Sequence, residues 1–398
     1  MTVDLQRLDL TFNPFEPAAS GAPLIPSAEE LWLPASWKKK LVDTLDPLGS
    51  GTGVKVLALA GEYGSGKTYI LQWLYQTYFP NLRVRPFYFD NPGVQFYALA
   101  NSWLRRLGRK DFAKSIWELA AAYTDEPAQR SLFTQGNGYE DFLRRQPKGA
   151  AMENILRNLQ EAIEKSGIAT EGEIAYLLAR LVAETPRKPY FEYSDFIAGR
   201  ANALVPEGEE APYFASILRT LRLAGNANAV AFLVDEFEEV SQQKYLSRKE
   251  AYEYLTTLKR LINLGLSENL WVVLSLTRDA VQITKDQDPA LWERLTNQGD
   301  QLFDVPSLSI EEAKDLVRYR IKLSRSVTKT VSEDDLFPFS SEALEQLTPA
   351  TFSVPRRLIK ICFFAIAESG GQKLPFSSEY LRGIELRTYP ENQGGRPY

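Results

Sequence analysis

The chain has 398 residues, 44% apolar and 24% charged, a composition that fits a globular protein of one large or two to three ordinary domains. With 46 basic against 51 acidic residues the formal charge is −5, which argues against a protein that coats nucleic acid by bulk charge but allows a local basic patch. The single cysteine, Cys362, excludes an internal disulfide, and the absence of histidine excludes Ser-His-Asp chemistry and removes the commonest general base and metal ligand.

In chain order, the opening MTVDLQRLDLTFNPFEP lacks the apolar core of a secretory leader. No uninterrupted apolar run reaches the ~18 residues of a membrane span, so a cytoplasmic protein without a membrane partner is expected. Residues 1–50 read as a proline-punctuated arm and one helix around Trp37–Leu45, and LDPLGSGTG (45–53) as a turn-rich lead. VKVLALA (54–60) is a short β-branched run that reads as a buried parallel strand. It meets Gly61-Glu62-Tyr63-Gly64-Ser65-Gly66-Lys67-Thr68, which fits G-x-x-x-x-G-K-[ST] at every fixed position. KTYILQWLYQTYF then repeats apolar residues with helical spacing at Ile70, Leu71, Leu74 and Tyr75.

Strand, glycine turn and helix start therefore come in the order that a phosphate cradle needs. Gly61, Gly64 and Gly66 are expected to take positive φ and turn backbone N–H groups inward, where they and the helix N-terminus hold phosphate oxygens. Gly61 to Tyr69 are the candidate nucleotide-binding residues, a turn that by itself could belong to a kinase, a GTPase or an ATPase. Lys67 would reach the β- and γ-phosphates and Thr68 would coordinate Mg²⁺.

LRVRPFYFDNP (82–92) reads as a second strand stopped by Asn91-Pro92. From Lys67 the next acidic strand end is far beyond the ~30 residues of a minimal βαβ unit. Much of 97–225 has helical periodicity, and about 110–210 reads as a helical insertion. VAFLVDEFEEV (230–240) follows as a buried strand ending in Asp235 and Glu236, the edge at which open α/β sheets bind ligands. Asp235 would hold Mg²⁺ through water and Glu236 would polarise the attacking water. EAYEYLTTLKRLINLGL (250–266) reads as a strong helix. LWVVLSLTRD (270–279) reads as a third strand whose polar end offers Thr277, with Ser275 as alternate, to orient water. After residue 310 the chain reads as helical to about 385, with Leu358, Ile361, Cys362 and Ala365 on one apolar face, so Cys362 is expected in the core.

The expected class is α/β: a P-loop NTPase parallel sheet between helices, with a large helical insertion and a C-terminal helical lid. The divisions are 1–50 (arm and helix), 51–305 (core), 306–385 (lid) and 386–398 (flexible tail). The order of P-loop, FLVDE, polar strand end, later arginine and VPRRL resembles an AAA+ ATPase. Within that class it resembles origin-recognition initiators and transposition-regulator ATPases. FNPFEP (12–17), the run 290–321 with P-x-L-[ST]-x-E-E-A, and TPATFSVPRRLIKICFFAIAES (348–369) carry the likeness. EAYEYLTTLKRLINLGLSENLWVVLSLTRD also resembles ATPases of phage-defence operons. Ser353-Val354 stands where glycine is common in the family's G-x-P-R.

The resemblance implies ATP hydrolysis with Mg²⁺ and a homo-oligomer. It implies a lid arginine at Arg356, with Arg357 as alternate, contacting the γ-phosphate. It also implies a finger, Arg294, reaching a neighbouring subunit's nucleotide, and an N-terminal segment near the adenine. Nucleotide state would control assembly or engagement of DNA or a DNA-processing complex in transposition, replication or phage defence. An ATP-gated scaffold with little or no hydrolysis is the alternative. Arg318, Arg320, Lys322, Arg325 and Lys329, and the cluster RRLGRK (105–110), are the candidate phosphate-backbone contacts, weighed against a solvated helix face.

Overall fold

Five strands share one sheet in the computed structural model of the chain, in the order β2-β3-β4-β1-β5. They are β1 (Val54–Ala60), β2 (Val84–Phe89), β3 (Ala229–Val234), β4 (Leu270–Leu276) and β5 (Leu302–Asp304). The structure describes residues 4–15, 31–49, 54–90, 107–124, 138–144, 149–183, 210–241, 247–252, 255–256, 269–287, 289–296, 301–325 and 335–390.

Burial explains the strand order. β3 and β4 are buried at every residue, as expected of central strands covered on both faces. β2 is buried only at its two ends and holds Pro86, which has no N–H to give a second neighbour, so it stands at the sheet edge. The ladders are parallel. Val84 to Phe89 pair in step with Ala229 to Val234, and Val230 to Val234 with Leu270 to Leu274.

The chain forms two compact units. One comprises Leu45–Ala58 and Leu74–Leu302, the other Met1–Thr44, Leu59–Trp73 and Phe303–Tyr398. In the first, β2, β3 and β4 share a core with helices from the expected insertion and the segment after it: Arg109–Ala122, Tyr139–Arg144, Ala150–Lys165, Gly172–Ala183 and Glu210–Ala224. Phe112, Ile116, Trp117, Leu159, Ile163, Leu178, Val182 and Leu218 are buried there together with Phe232 of β3. Tyr139 ties two of these helices by donating its hydroxyl to the Val182 carbonyl at 2.9 Å. Of the helix expected over 250–266, residues 250–252 and 255–256 are described and are helical; the rest lies outside the described residues, as does 96–106.

The second unit holds the last residues of β1, the glycine turn and the helix Lys67–Trp73, which widens into a π-helical turn over Leu74–Tyr78 as it leaves the unit. It also holds the C-terminal helices Ile310–Ser324, Ser341–Glu345, Pro349–Ser353, Pro355–Ala367 and Ser378–Thr388. Ser309 and Glu312 form a reciprocal capping box that starts the first of these, which satisfies two otherwise orphaned N–H groups. Pro355 starts the fourth at a position where its missing N–H costs nothing. Cys362 is fully buried on that helix, as its spacing implied, and burial pushes its thiol pKa up.

The FNPF segment is fastened to these C-terminal helices. Thr11 donates through both its backbone N–H and its hydroxyl to the Ser324 carbonyl at 2.8 Å, and Asn13 donates to the Phe363 carbonyl at 3.2 Å. Phe15 is fully buried and meets the Phe339 ring edge-on at 5.7 Å. Asn13 and Phe15 of that motif therefore anchor the arm to the helical region, whereas the Phe12 ring is exposed.

Candidate functional site

The glycine turn folds as a cradle, with one departure from the expectation. Gly64 (φ 83°) and Gly66 (φ 103°) take the left-handed backbone, but Gly61 does not. Gly61 is needed for its size: a Cβ there would lie 2.5 Å from Ser65 Oγ and 3.2 Å from Val305 Cβ. Gly66 faces the indole of Trp37, which a Cβ would meet at 3.4 Å. Lys67 is buried, and its ammonium donates to the carbonyls of Gly61 (2.9 Å) and Glu62 (3.1 Å). Ser65 N–H closes the turn onto the Glu62 carbonyl at 3.1 Å.

Two polar atoms next to this turn, Ser65 Oγ and Trp37 Nε1, are buried without a hydrogen-bond partner. Orphaned buried donors are costly, and each asks for an explanation. A turn with inward glycines, a lysine held over it and an unsatisfied hydroxyl fits a phosphate group. Thr68 is exposed at the first turn of the helix. Tyr69 is half-buried, and burial, helped by a hydrogen bond with Tyr319, raises its phenol pKa.

The helix Pro355–Ala367 begins on the same turn. Arg356 N–H donates to the Gly64 carbonyl at 3.3 Å, and a Cβ on Gly64 would lie 2.8 Å from Arg356 Cβ and 3.2 Å from Val354 Cγ1. The Arg356 guanidinium lies over the ring of Tyr63, 4.5 Å from its centroid. Arg357 instead lies over Tyr389 at 4.8 Å. Of the two arginines between which the sequence left the choice open, Arg356 is the one at the glycine turn.

The acidic strand end sits in the other unit. Asp235 directly follows β3, and its N–H continues the ladder to the Phe89 carbonyl at 2.8 Å. Since Val234 pairs with Leu274, Ser275 on β4 lies level with Asp235; Tyr88, paired with Leu233, lies on the same face two residues earlier. The carboxylate collects donors from three directions. Ser275 hydroxyl and Glu236 N–H (3.0 Å) donate to Oδ1, and Tyr88 hydroxyl donates to Oδ2 at 3.0 Å. Burial, then the Asp235 charge and the hydrogen bond to it, raise the Tyr88 phenol pKa.

Glu236 is exposed and sits at φ 51°, a left-handed backbone that costs a glutamate ~1–2 kcal/mol. Such strain concentrates at functional positions because the surroundings enforce it. Here the enforcing contacts are visible: Glu236 N–H reaches both Asp235 Oδ1 and Ser275 Oγ (3.2 Å), and Phe237 N–H donates to the Ser275 carbonyl at 3.0 Å.

Thr277, the first choice for orienting water, directly follows β4. Its hydroxyl accepts from Ala280 N–H at 3.2 Å and so caps the helix Arg278–Gln287, whereas Ser275, the alternate, holds the acidic strand end. Tyr88 escaped sequence reasoning because FYF reads as ordinary strand; its signal is the parallel register with β3. Arg294 lies in the helix Pro289–Thr296, and its side chain is outside the described residues. Of the basic cluster, Arg318 pairs with Asp315 (2.7 Å) and Asp335 (2.9 Å), and Arg325 donates to the Phe337 carbonyl at 3.3 Å; Lys329 lies outside the described residues. Among the described residues no helix is long and apolar enough to cross a membrane.

No protein-family model matches the chain, and no curated protein matches it. Among solved structures, the chain is similar to the Aeropyrum pernix ORC2 protein in its ADPNP-ADP complexes (TM-score 0.42, 14% identity, 91% of this chain and 71% of that one). It is likewise similar to the ADP form of the same protein (TM-score 0.41, 14% identity, 93% of this chain and 79% of that one). At 14% identity no residue role passes from that protein to this chain.

Proposed function

We propose that the chain is an AAA+-type ATPase that binds ATP with Mg²⁺ at Gly61–Tyr69 and hydrolyses it. The observation that carries this reading is the glycine turn: Gly64 and Gly66 left-handed, Lys67 held over the turn by two loop carbonyls, and the Ser65 hydroxyl buried without a partner. Phosphate oxygens would accept from the loop N–H groups, from Ser65 and from Lys67, which exchanges its carbonyl partners for a charge-assisted bond. Bound Mg²⁺ supplies charge neutralisation at the transferring phosphoryl group. Thr68 and Asp235 are the residues that would hold it, Asp235 through water. Glu236 takes a proton from the attacking water. Arg356 would approach the γ-phosphate from the lid helix, and Arg294 would serve a neighbouring subunit of a homo-oligomer. Nucleotide state would then bias assembly, or engagement of DNA or a DNA-processing complex.

The test is ATP binding and turnover by the full chain and by Glu236→Gln. The expected result is retained binding with turnover reduced about 10²- to 10⁴-fold, the range for loss of a general base. Unchanged turnover would show that Glu236 is not the base. Binding without measurable turnover in the unaltered chain would favour the ATP-gated scaffold, and no binding to either ATP or ADP would refute the nucleotide site.

A further inference from the structure

Tyr63 raises a question that the phosphate cradle does not answer. It is one of the variable positions of the glycine turn, which would serve phosphate through the backbone N–H and not the side chain, yet a large aromatic ring stands there 70% exposed, which gains nothing for the core. One observation accounts for it: the guanidinium of Arg356 lies over that ring, 4.5 Å from its centroid. The backbone of Arg356 is fixed independently, by its N–H on the Gly64 carbonyl and by Cβ and Val354 Cγ1 packed against the bare face of Gly64. The root of the arginine is thus anchored on the loop, and its charged end is free to choose between partners.

The two candidate partners differ in exposure. Lys67 and Ser65, which mark the cradle, are 7% and 4% exposed, whereas the Tyr63 ring is open to solvent. A guanidinium lying on the ring is already engaged there, so a phosphate has to compete with that contact. We infer that Tyr63 is a positioning residue that parks Arg356, so that a γ-phosphate has to draw the arginine off the ring. This rests on the reading of Gly61–Tyr69 as an ATP site.

The consequence is selective. A ligand that ends at the β-phosphate leaves Arg356 on Tyr63 and does not sense the ring. One with a γ-phosphate competes with the cation–π contact and binds more weakly by the strength of that contact. The ring therefore sets how strongly the site distinguishes ATP from ADP, and how far the helix Pro355–Ala367 responds to the third phosphate.

The experiment is calorimetric titration of the full chain with ADP and with a non-hydrolysable ATP analogue. Tyr63→Leu, which keeps bulk and loses the ring face, should tighten the ATP analogue about two- to fivefold, the range of an exposed cation–π contact, and leave ADP unchanged. Tyr63→Phe, which keeps the face, should restore the wild-type ratio. In an Arg356→Ala background Tyr63→Leu should change neither affinity. The inference is overturned if Tyr63→Leu weakens the analogue, leaves it unaltered or shifts ADP equally, or if its effect survives without Arg356. If the unaltered chain binds neither nucleotide, the ATP reading itself fails and the inference with it, a result distinct from binding that ignores Tyr63.

Discussion

Tyr88 on the edge strand donates its hydroxyl to Asp235 Oδ2 at 3.0 Å, while Ser275 and Glu236 N–H serve Oδ1. Both oxygens of a buried carboxylate are thereby held from neighbouring strands, which fixes where the group points. Hydrogen bonds to charged groups contribute ~1.5–3 kcal/mol, so Tyr88→Phe should lower unfolding stability by about 1.5 kcal/mol, the low end because Tyr88 is only half-buried. In an Asp235→Asn background the same substitution should cost clearly less, since the acceptor is then neutral. Denaturant titration of the four proteins closes the cycle; equal costs in both backgrounds would show that the contact does not depend on the charge.

The alkaline limb of stability should report the same contact. Burial raises the phenol pKa values of Tyr69, Tyr78, Tyr88 and Tyr380, that of Tyr380 to about 12. A group with a raised folded pKa contributes stability that is present below its unfolded pKa and lost as pH rises toward the folded value. Stability should therefore fall above about pH 10, the ordinary tyrosine value. Tyr88→Phe should make that fall shallower, measured as denaturation midpoints across the alkaline range.

The backbone of Glu236 gives a stability signature separable from chemistry. At φ 51° every side chain pays for its Cβ and glycine does not. Glu236→Gly should therefore be about 1 kcal/mol more stable than Glu236→Ala, although both lose the same carboxylate. If alanine proves as stable as glycine, the turn relaxes to an ordinary backbone and is not strained.

How much of this was legible in the sequence depends on range. VKVLALA and VAFLV are strands because buried parallel strands demand continuous apolar runs, and the glycine turn is recognised because its φ values and close approaches demand those residues locally. Strand order was not written in any segment; the edge place of β2, which Pro86 suits, emerged only with the sheet. What escaped were pairings set by register and docking. Tyr88 meets Asp235 only once β2 and β3 align, Trp37 meets Gly66 only once the N-terminal helix packs, and Tyr63 meets Arg356 only once the C-terminal helix docks. Thr277 and Ser275 are two residues apart on one strand end, and pattern could not tell the helix cap from the carboxylate's partner.

Cys362 offers a chemical reporter of folding. It is the chain's only thiol and is fully buried among the C-terminal helices, and burial raises its pKa. Thiolate is the reactive form, so alkylation in native buffer at neutral pH should be slow and should become fast in denaturant. Mass spectrometry after a timed pulse of iodoacetamide gives the ratio. Rapid native labelling would mean that this helix opens readily.

Gly64 and Gly371 form a matched pair that isolates the docking of the arginine-bearing helix on the turn. Their backbones are nearly alike, at φ 83° and 79°, so alanine at either pays similar left-handed strain, ~1–2 kcal/mol. Their surroundings differ. A Cβ on Gly371 has nothing within 4 Å, whereas on Gly64 it would lie 2.8 Å from Arg356 Cβ, closer than real Cβ atoms come. Arg356 Cβ sits at the root of its side chain, so relief requires the helix start to move and the bond from Arg356 N–H to the Gly64 carbonyl to lengthen. Gly64→Ala should therefore cost at least about 1 kcal/mol more than Gly371→Ala, the lower range for overpacking. Equal losses at the two sites would mean that the helix start yields without cost and is not firmly seated on the turn.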